Sequence, residues 1–349
     1  VLNLWPIGLL ALVAVVAVLP ISSFIFITSL KYVRHALPVT VVLIGIWGAA
    51  AAQVLWSLSH FNRRWLPPLA GAALLAVTAV PYAVQDAALV QQYTKVQTQQ
   101  VLWRWADANV PLDGLILMDA RSHAEDTWNR PWSGYDGSKS FQWWFEDVDV
   151  IAKTDPADYA QRGIVYFAMS DADVLNFYKT PEAKALAGHF THIKTIVPGP
   201  DTTGDTYSFY RIQPPGQQVD VDFGGQIRLA GYDLKGGTAK PGEGIVFRPY
   251  WRIDEQPTTN YSLFVHLYPA DEDKLITQYD GAPGSPTRPT LTWDDPDELY
   301  IGPDAALTVP ADLPPGSYRL IIGLYDYSTG ARLSVGPNQS YYAIPVTVG

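Results

Sequence analysis

No cysteine occurs in the 349 residues. Structural disulfides and thiolate metal sites are therefore excluded, although the absence does not name a compartment. A glycine-rich nucleotide loop, a Ser-His-Asp order and a Cys-x-x-Cys pair are missing as well, so no single motif spells out a complete active site. Charge is scarce, at 17% of residues, and the scarcity is uneven: residues 4–30, 37–58 and 65–85 hold no Asp, Glu, Lys or Arg.

A charge-free stretch of about 20 residues is long enough to cross a bilayer core of roughly 30 Å as a helix, with its backbone groups satisfied internally. Three in succession, separated by short basic loops, predict three transmembrane helices at about 4–30, 37–58 and 65–86. The competing reading is buried core helices of a large protein. Gly45, Gly48 and the alanines at 49–52 give the second stretch a small-residue face suited to close helix packing. The Arg63-Arg64 pair favours the cytoplasmic side and places residues after about 90 on the extracytoplasmic side of the cell membrane, while the basic loop at Lys31 argues the other way. The chain opens on Val1 without the basic leader of a signal peptide, which reads as a processed chain or part of a longer one.

The charge that is present separates two regions. Lys31, Arg34, Arg63, Arg64 and Asp86 give residues 1–90 a net +3, so the remainder carries −13 of the total −10. An acidic balance of this kind argues against DNA or RNA as a partner. Residues 87–109 read as a helix stopped by Asn109-Val110-Pro111, since the residue before proline avoids the helical region. Apolar runs at 115–118, 163–169, 193–197 and 207–212, with a short helix at 181–189, predict a small α/β domain over 91–215. Pro214-Pro215-Gly216 closes it. Strand candidates at 227–234, 244–253, 261–268, 318–325 and 341–348, with shorter ones at 275–279 and 306–309, are punctuated by Gly-Gly and Pro-Gly turns. They predict an immunoglobulin-like β-sandwich over 216–349. The expected fold class is thus a multidomain membrane protein: three transmembrane α-helices over 1–90, a small α/β extracytoplasmic domain and an all-β sandwich.

Three sets of residues could carry chemistry. Tyr32, Arg34 and His35 stand where a lipid phosphate would lie; Arg matches phosphate oxygens bidentately and Tyr suits the interface, though a generic anchor has the same composition. Asp119, Arg121, His123, Glu125, Asp126, Trp128, Trp132, Tyr135, Trp143 and Trp144 follow a buried strand, the usual place for a binding loop. The acids and His could hold a metal or act as acid and base, and the rings could stack on sugars. The alternative is a solvated loop whose Trp residues pack on their own domain. Asp271, Glu272, Asp273, Asp294, Asp295, Asp297 and Glu298 are oxygen donors of the kind calcium takes, but without EF-hand spacing, and solvated loops are the plainer reading. No metal motif and no cofactor is read from the sequence.

Ser29-Leu-Lys-Tyr-Val-Arg-His-Ala-Leu-Pro38 resembles the segment before a late membrane helix in bacterial polytopic glycosyltransferases of the dolichyl-phosphate-mannose mannosyltransferase-like (GT-C) class. His35 stands where that family usually has Tyr. The stretch 103–117 is similar to the family's outer helix and first strand. Leu229-Ala-Gly-Tyr-Asp-Leu234, Pro241-Gly-Glu243, Phe264-Val-His-Leu267 and Gly323-Leu-Tyr-Asp326 are similar to a β domain often fused behind such enzymes. The resemblance implies the C-terminal part of an enzyme that transfers a sugar from a polyprenyl-phosphate donor. Tyr32, Arg34 and His35 would face the donor lipid. Asp119, Arg121, His123, Glu125, Trp128 and Trp132 would meet a glycan acceptor or a partner. The family's catalytic outer-loop acid has no counterpart here, so no catalytic residue is assigned. The expected partners are membrane lipids, a polyprenyl-phosphate-linked sugar, a glycan acceptor and other membrane subunits, with no nucleic acid. The second expectation is a non-catalytic membrane-anchored subunit whose outer domains bind a protein or glycan.

Overall fold

The computed structural model describes residues 94–112, 114–119, 143–146, 148–151, 153–171, 181 and 188–349, with eight scattered positions between 52 and 87. The chain divides into two compact units, Val1–Thr94 and Lys95–Gly349. The account below concerns the second.

The run Leu-Ile-Leu-Met at 115–118 is apolar at every position, the pattern of a strand buried on both faces rather than one that alternates. It forms β2 (Leu115–Asp119), inside a mixed sheet with β3 (Trp143–Glu146), β4 (Ile164–Ser170), β5 (Thr191–Ile196) and β7 (Tyr207–Arg211). The strand order is β3-β2-β4-β7-β5. β3, β2 and β4 run parallel, and β7 is antiparallel to both β4 and β5. Alternate residues of β2 enter different cores: Ile116 and Met118 lie with Tyr166 and Phe209 on one face, Leu117 with Phe167 and Tyr159 on the other.

Helix α1 (Thr98–Asn109) covers the first face through Leu102 and Trp103 and, one turn on, Ala106. It ends where expected, at Val110, whose extended backbone leads into Pro111. It begins later than the predicted 87, because Val96–Gln97 (β1) pairs in parallel with Thr202–Thr203 (β6) instead of continuing the helix. On the second face lie the short α2 (Val148–Ile151) and α3 (Pro156–Gln161). Asp155 caps α3 by accepting from the Ala157 amide at 2.8 Å, with proline in the tolerated first turn.

Beyond Pro215 the strands alternate. Tyr261, Leu263, Val265 and Leu267 of β12 (Tyr261–Pro269) point into a core, as do Leu320, Ile322 and Leu324 of β16 (Gly316–Asp326). These two strands belong to a sheet with β10 (Thr238–Ala239), β13 (Thr277–Gly281) and β17 (Tyr342–Val348), in the order β10-β17-β16-β12-β13. A second sheet holds β8 (Gln217–Phe223), β9 (Ile227–Lys235), β11 (Gly244–Ile253), β14 (Tyr300–Ile301) and β15 (Ala305–Thr308), with β9 between β8 and β11 and both β14 and β15 on the far edge of β11. Phe223, Ile227, Leu229, Phe247 and Trp251 from this sheet share the core of the first. Gly236 makes the turn from β9 possible: its φ is +76°, and a Cβ would lie 2.4 Å from the Gly244 carbonyl oxygen.

One irregularity sets what the outside of the second sheet carries. In β9, Ile227 and Leu229 face the core, and strict alternation would send 231, 233 and 235 after them. The register breaks where Tyr250 pairs with Gly231 but Trp251 pairs with Leu229, leaving Ala230 as an extra residue. The phase flips, Tyr232 takes the core position, and Asp233 and Lys235 turn outward beside their cross-strand partners Arg248 and Val246. That outer surface packs on the mixed sheet: Tyr250, Leu299 and Ile301 join the core formed by α1, β2 and β7.

Several expectations are corrected here. No helix among the described residues is long and apolar enough to cross a membrane; the longest, α1, has 12 residues. The predicted spans at about 4–30, 37–58 and 65–86 lie almost wholly outside the described residues. Length without charge is necessary for a membrane span but does not by itself distinguish one from a buried segment. The transmembrane fold class, the extracytoplasmic placement in a cell membrane, and the lipid, polyprenyl-phosphate and membrane-subunit partners are therefore not sustained. Neither is the resemblance to GT-C glycosyltransferases, in its catalytic or its anchored form. The immunoglobulin-like sandwich is replaced too. That arrangement sets roughly four strands against three in its shortest form, whereas residues 217–349 build two five-stranded sheets with a parallel edge pair, β10 on β17. The difference comes from short segments, Thr238–Ala239 and Tyr300–Ile301, too brief to show a period of their own.

Candidate functional site

The outward residues of β9 and β11 meet the ends of β4 and β7 across a cavity of about 360 Å³. Its polar lining is Arg211, Gln213, Asp233, Lys235, Arg248 and Asp304; Ile164, Val165 and Val246 supply apolar wall. Arg211 is the last residue of a strand with three aromatic residues among its other four, Arg248 stands mid-strand in β11, and Asp233 and Lys235 are there because of the bulge at Ala230.

Asp233 is the hub. Its Oδ2 accepts from Arg211 Nη2 at 2.8 Å and from the Tyr250 hydroxyl at 2.7 Å, and its Oδ1 accepts from the Gly216 amide at 2.7 Å. Arg211 also lies over the Tyr250 ring, 5.0 Å from its centroid. Burial pushes the Tyr250 phenol well above its ordinary pKa, with Arg211 opposing and Asp233 adding to the rise. The phenol therefore stays a donor. Arg248 Nε donates to Asp304 Oδ1 at 2.8 Å. Arg211 keeps Nε and Nη1 buried with no hydrogen-bond partner.

A second ionic cluster joins the same two halves. Glu298, 1% exposed, accepts from Lys194 Nζ at 2.7 Å, from Trp105 Nε1 at 3.1 Å and from Arg288 through both terminal nitrogens. Lys194 also reaches Asp295 Oδ2 at 2.6 Å. Burial works against the Lys194 ammonium, but Asp295 and Glu298 outweigh it and hold its pKa above the ordinary value. Burial likewise favours neutral Asp295, yet Lys194 keeps that carboxyl below its ordinary value. The Leu299 amide donates to the Ile193 carbonyl at 2.8 Å alongside. Part of the second acidic run, read above as solvated, is thus a junction device. The first run, Asp271, Glu272 and Asp273, is exposed. No group of three or more His, Asp or Glu among the described residues could hold a metal ion.

The residues singled out from sequence fall elsewhere. Tyr32, Arg34 and His35 lie outside the described residues, as do Arg121, His123, Glu125, Trp128 and Trp132. Asp119 ends β2, in register with Glu146 of the parallel β3. Trp143 and Trp144 are not loop residues: they open β3, where Trp143 is buried and stacks on Trp103 at 4.2 Å. Trp144 donates to Glu146 at 3.2 Å. His266 faces away from the double-sheet core and lies 3.2 Å from Asp280. Sequence reasoning passed over Arg211, Asp233, Lys235, Arg248 and Asp304. The available signal was charge inside strands, at Asp233 and Arg248, but only the unforeseen bulge puts them on one face.

No protein-family model and no curated protein matches the chain. Among solved structures it is similar to the C-terminal domain of wzt, at 12% identity over 39% of this chain and 82% of that one, with a TM-score of 0.25. It is also similar to Spo0M, a sporulation control protein from Bacillus subtilis, at 13% identity over 36% of this chain and 49% of that one, with a TM-score of 0.23. Likenesses at that level carry no argument about this chain's fold or function.

Proposed function

We propose that residues 91–215 and 216–349 act together as a recognition module that binds a small polar solute in the cavity between them. The supporting observation is the cavity itself: about 360 Å³, bounded by both halves, with charged side chains brought in from β7, β9, β11 and the approach to β15. Ligand sites favour such junctions, and volumes of roughly 300–1,000 Å³ with few convergent polar groups are typical of them. The apolar wall from Ile164, Val165 and Val246 would exclude water from one side of the solute while the charged groups fix its orientation.

The test is saturation-transfer NMR on the full chain with glucose, glucuronate and inorganic phosphate as probes. Val246→Trp, which fills the cavity from β11, should abolish the signal of any probe that binds. Thr347→Trp, on an exposed position of the other sheet, should leave it unchanged. A probe that binds both variants equally would remove the cavity from the account and leave the charged groups as ties between the halves.

A further inference from the structure

We infer that the cavity recognises an anionic oxygen group, a carboxylate or a phosphate, through Arg211 and Lys235. The inference rests on the cavity reading above and adds the class of its occupant.

Arg211 carries a charge it cannot lose and five N–H donors. Nη2 serves Asp233, while Nε and Nη1 are buried without a partner. Buried donors are nearly always satisfied, so such a pair calls for an explanation. The neighbouring acids do not provide one. Both oxygens of Asp233 already accept, three donors in all, and Asp304 is engaged by Arg248. Lys235 is exposed at the rim and forms no ion pair among the described residues. Arg211, Lys235 and Arg248 thus line the cavity beside two acids, Asp233 and Asp304, and of the three cations it is Lys235 whose charge meets no acid among the described residues.

A neutral polyol could accept hydrogen bonds there but would leave that charge unmet, and a cation would be repelled. A monoanion with acceptor oxygens answers both needs. Charge-assisted bonds from a guanidinium to carboxylate or phosphate are among the strong ones, and a partly enclosed site screens them less than bulk water does.

The experiment is isothermal titration calorimetry on the full chain at matched ionic strength, with glucuronate, inorganic phosphate and glucose. At least one anion should bind at one site, with glucose about tenfold weaker or worse, and the stronger anion tells carboxylate from phosphate. Arg211→Lys keeps the charge and loses the planar fork, so affinity should fall about tenfold. Lys235→Gln, an exposed change that does not threaten folding, should weaken the anion several-fold and flatten its salt dependence. Failure of both anions to bind saturably would overturn the inference, as would anion affinity unchanged in both variants. Glucose binding that Val246→Trp abolishes, without anion preference, would overturn the inference and keep the cavity reading. Anion binding that survives Val246→Trp would overturn both.

Discussion

Two ionic clusters tie the mixed sheet to the double sheets, built from the same residue types and finished differently. Around Glu298 every strong group has a partner: Lys194, Arg288 and Trp105 converge on a carboxylate 1% exposed. Around Asp233 the carboxylate is as fully engaged, but a cavity opens beside it and Arg211 retains two unmet donors. A cluster that only fastens can close on itself. One that also receives a ligand must leave something unfinished, at some cost in stability.

The largest test of this contrast is Glu298→Ala. It strands Arg288 and leaves Lys194 with Asp295 alone at a buried junction, and removing one member of a buried pair costs about 3–5 kcal/mol. Urea unfolding of the full chain should show a midpoint lowered accordingly; a loss near zero would mean the halves hold together without this cluster. Asp233→Ala comes next, at about 1.5–3 kcal/mol. It also frees three donors, but the adjoining cavity lets water reach them, so its cost should stay below that of Glu298→Ala. The reverse order would remove the distinction between the two clusters.

A finer test is Trp105→Phe, which deletes one neutral donor to Glu298 and leaves both cations. It should cost about 0.5–1.5 kcal/mol by the same measurement. The smallest effect is that of Asp295→Asn, about 0–1 kcal/mol, because Asp295 is part exposed. Its signature is the pH dependence. Asp295 titrates below its ordinary 3.8 when folded, so the stability it adds is present above that value and is lost as pH falls through the folded pKa. The gap between wild type and Asp295→Asn should be level through neutrality and close in acid. Lys194, held above 10.5, adds stability that is complete below that value and fades as pH rises past its folded pKa. A gap that closes near neutral pH would remove the Lys194–Asp295 pair from the account.

What could be read in advance depended on the length of the signal. The strands at Ile164–Ser170, Gly244–Ile253, Tyr261–Pro269 and Gly316–Asp326 show unbroken apolar or alternating patterns, and periodicity finds such segments. Trp143–Glu146 has only four residues, and its tryptophans read as loop aromatics. The assembly was misjudged for a different reason. Charge-free stretches before residue 90 suggested a membrane architecture, and the resemblance built on it brought in a catalytic setting that the described structure does not sustain. The cavity residues were out of reach because their shared face is created by one register shift, and a bulge leaves no compositional trace.

That shift governs which kinds of sequence change the cavity can survive. Replacing any one wall residue alters a contact. A strand of unchanged length that paired without the bulge would keep Asp233, Lys235, Arg248 and Tyr250 in the chain and still dismantle the site, since Asp233 and Lys235 would then face the core and Tyr232 would leave it. Deleting Ala230, by contrast, would only make the pairing regular and leave those faces as they are. The site is written in pairing register as much as in residue identity. Descendants of this sequence could change many side chains between Ile227 and Ile253 and keep the cavity, so long as Leu229 stays paired with Trp251 and Asp233 with Arg248.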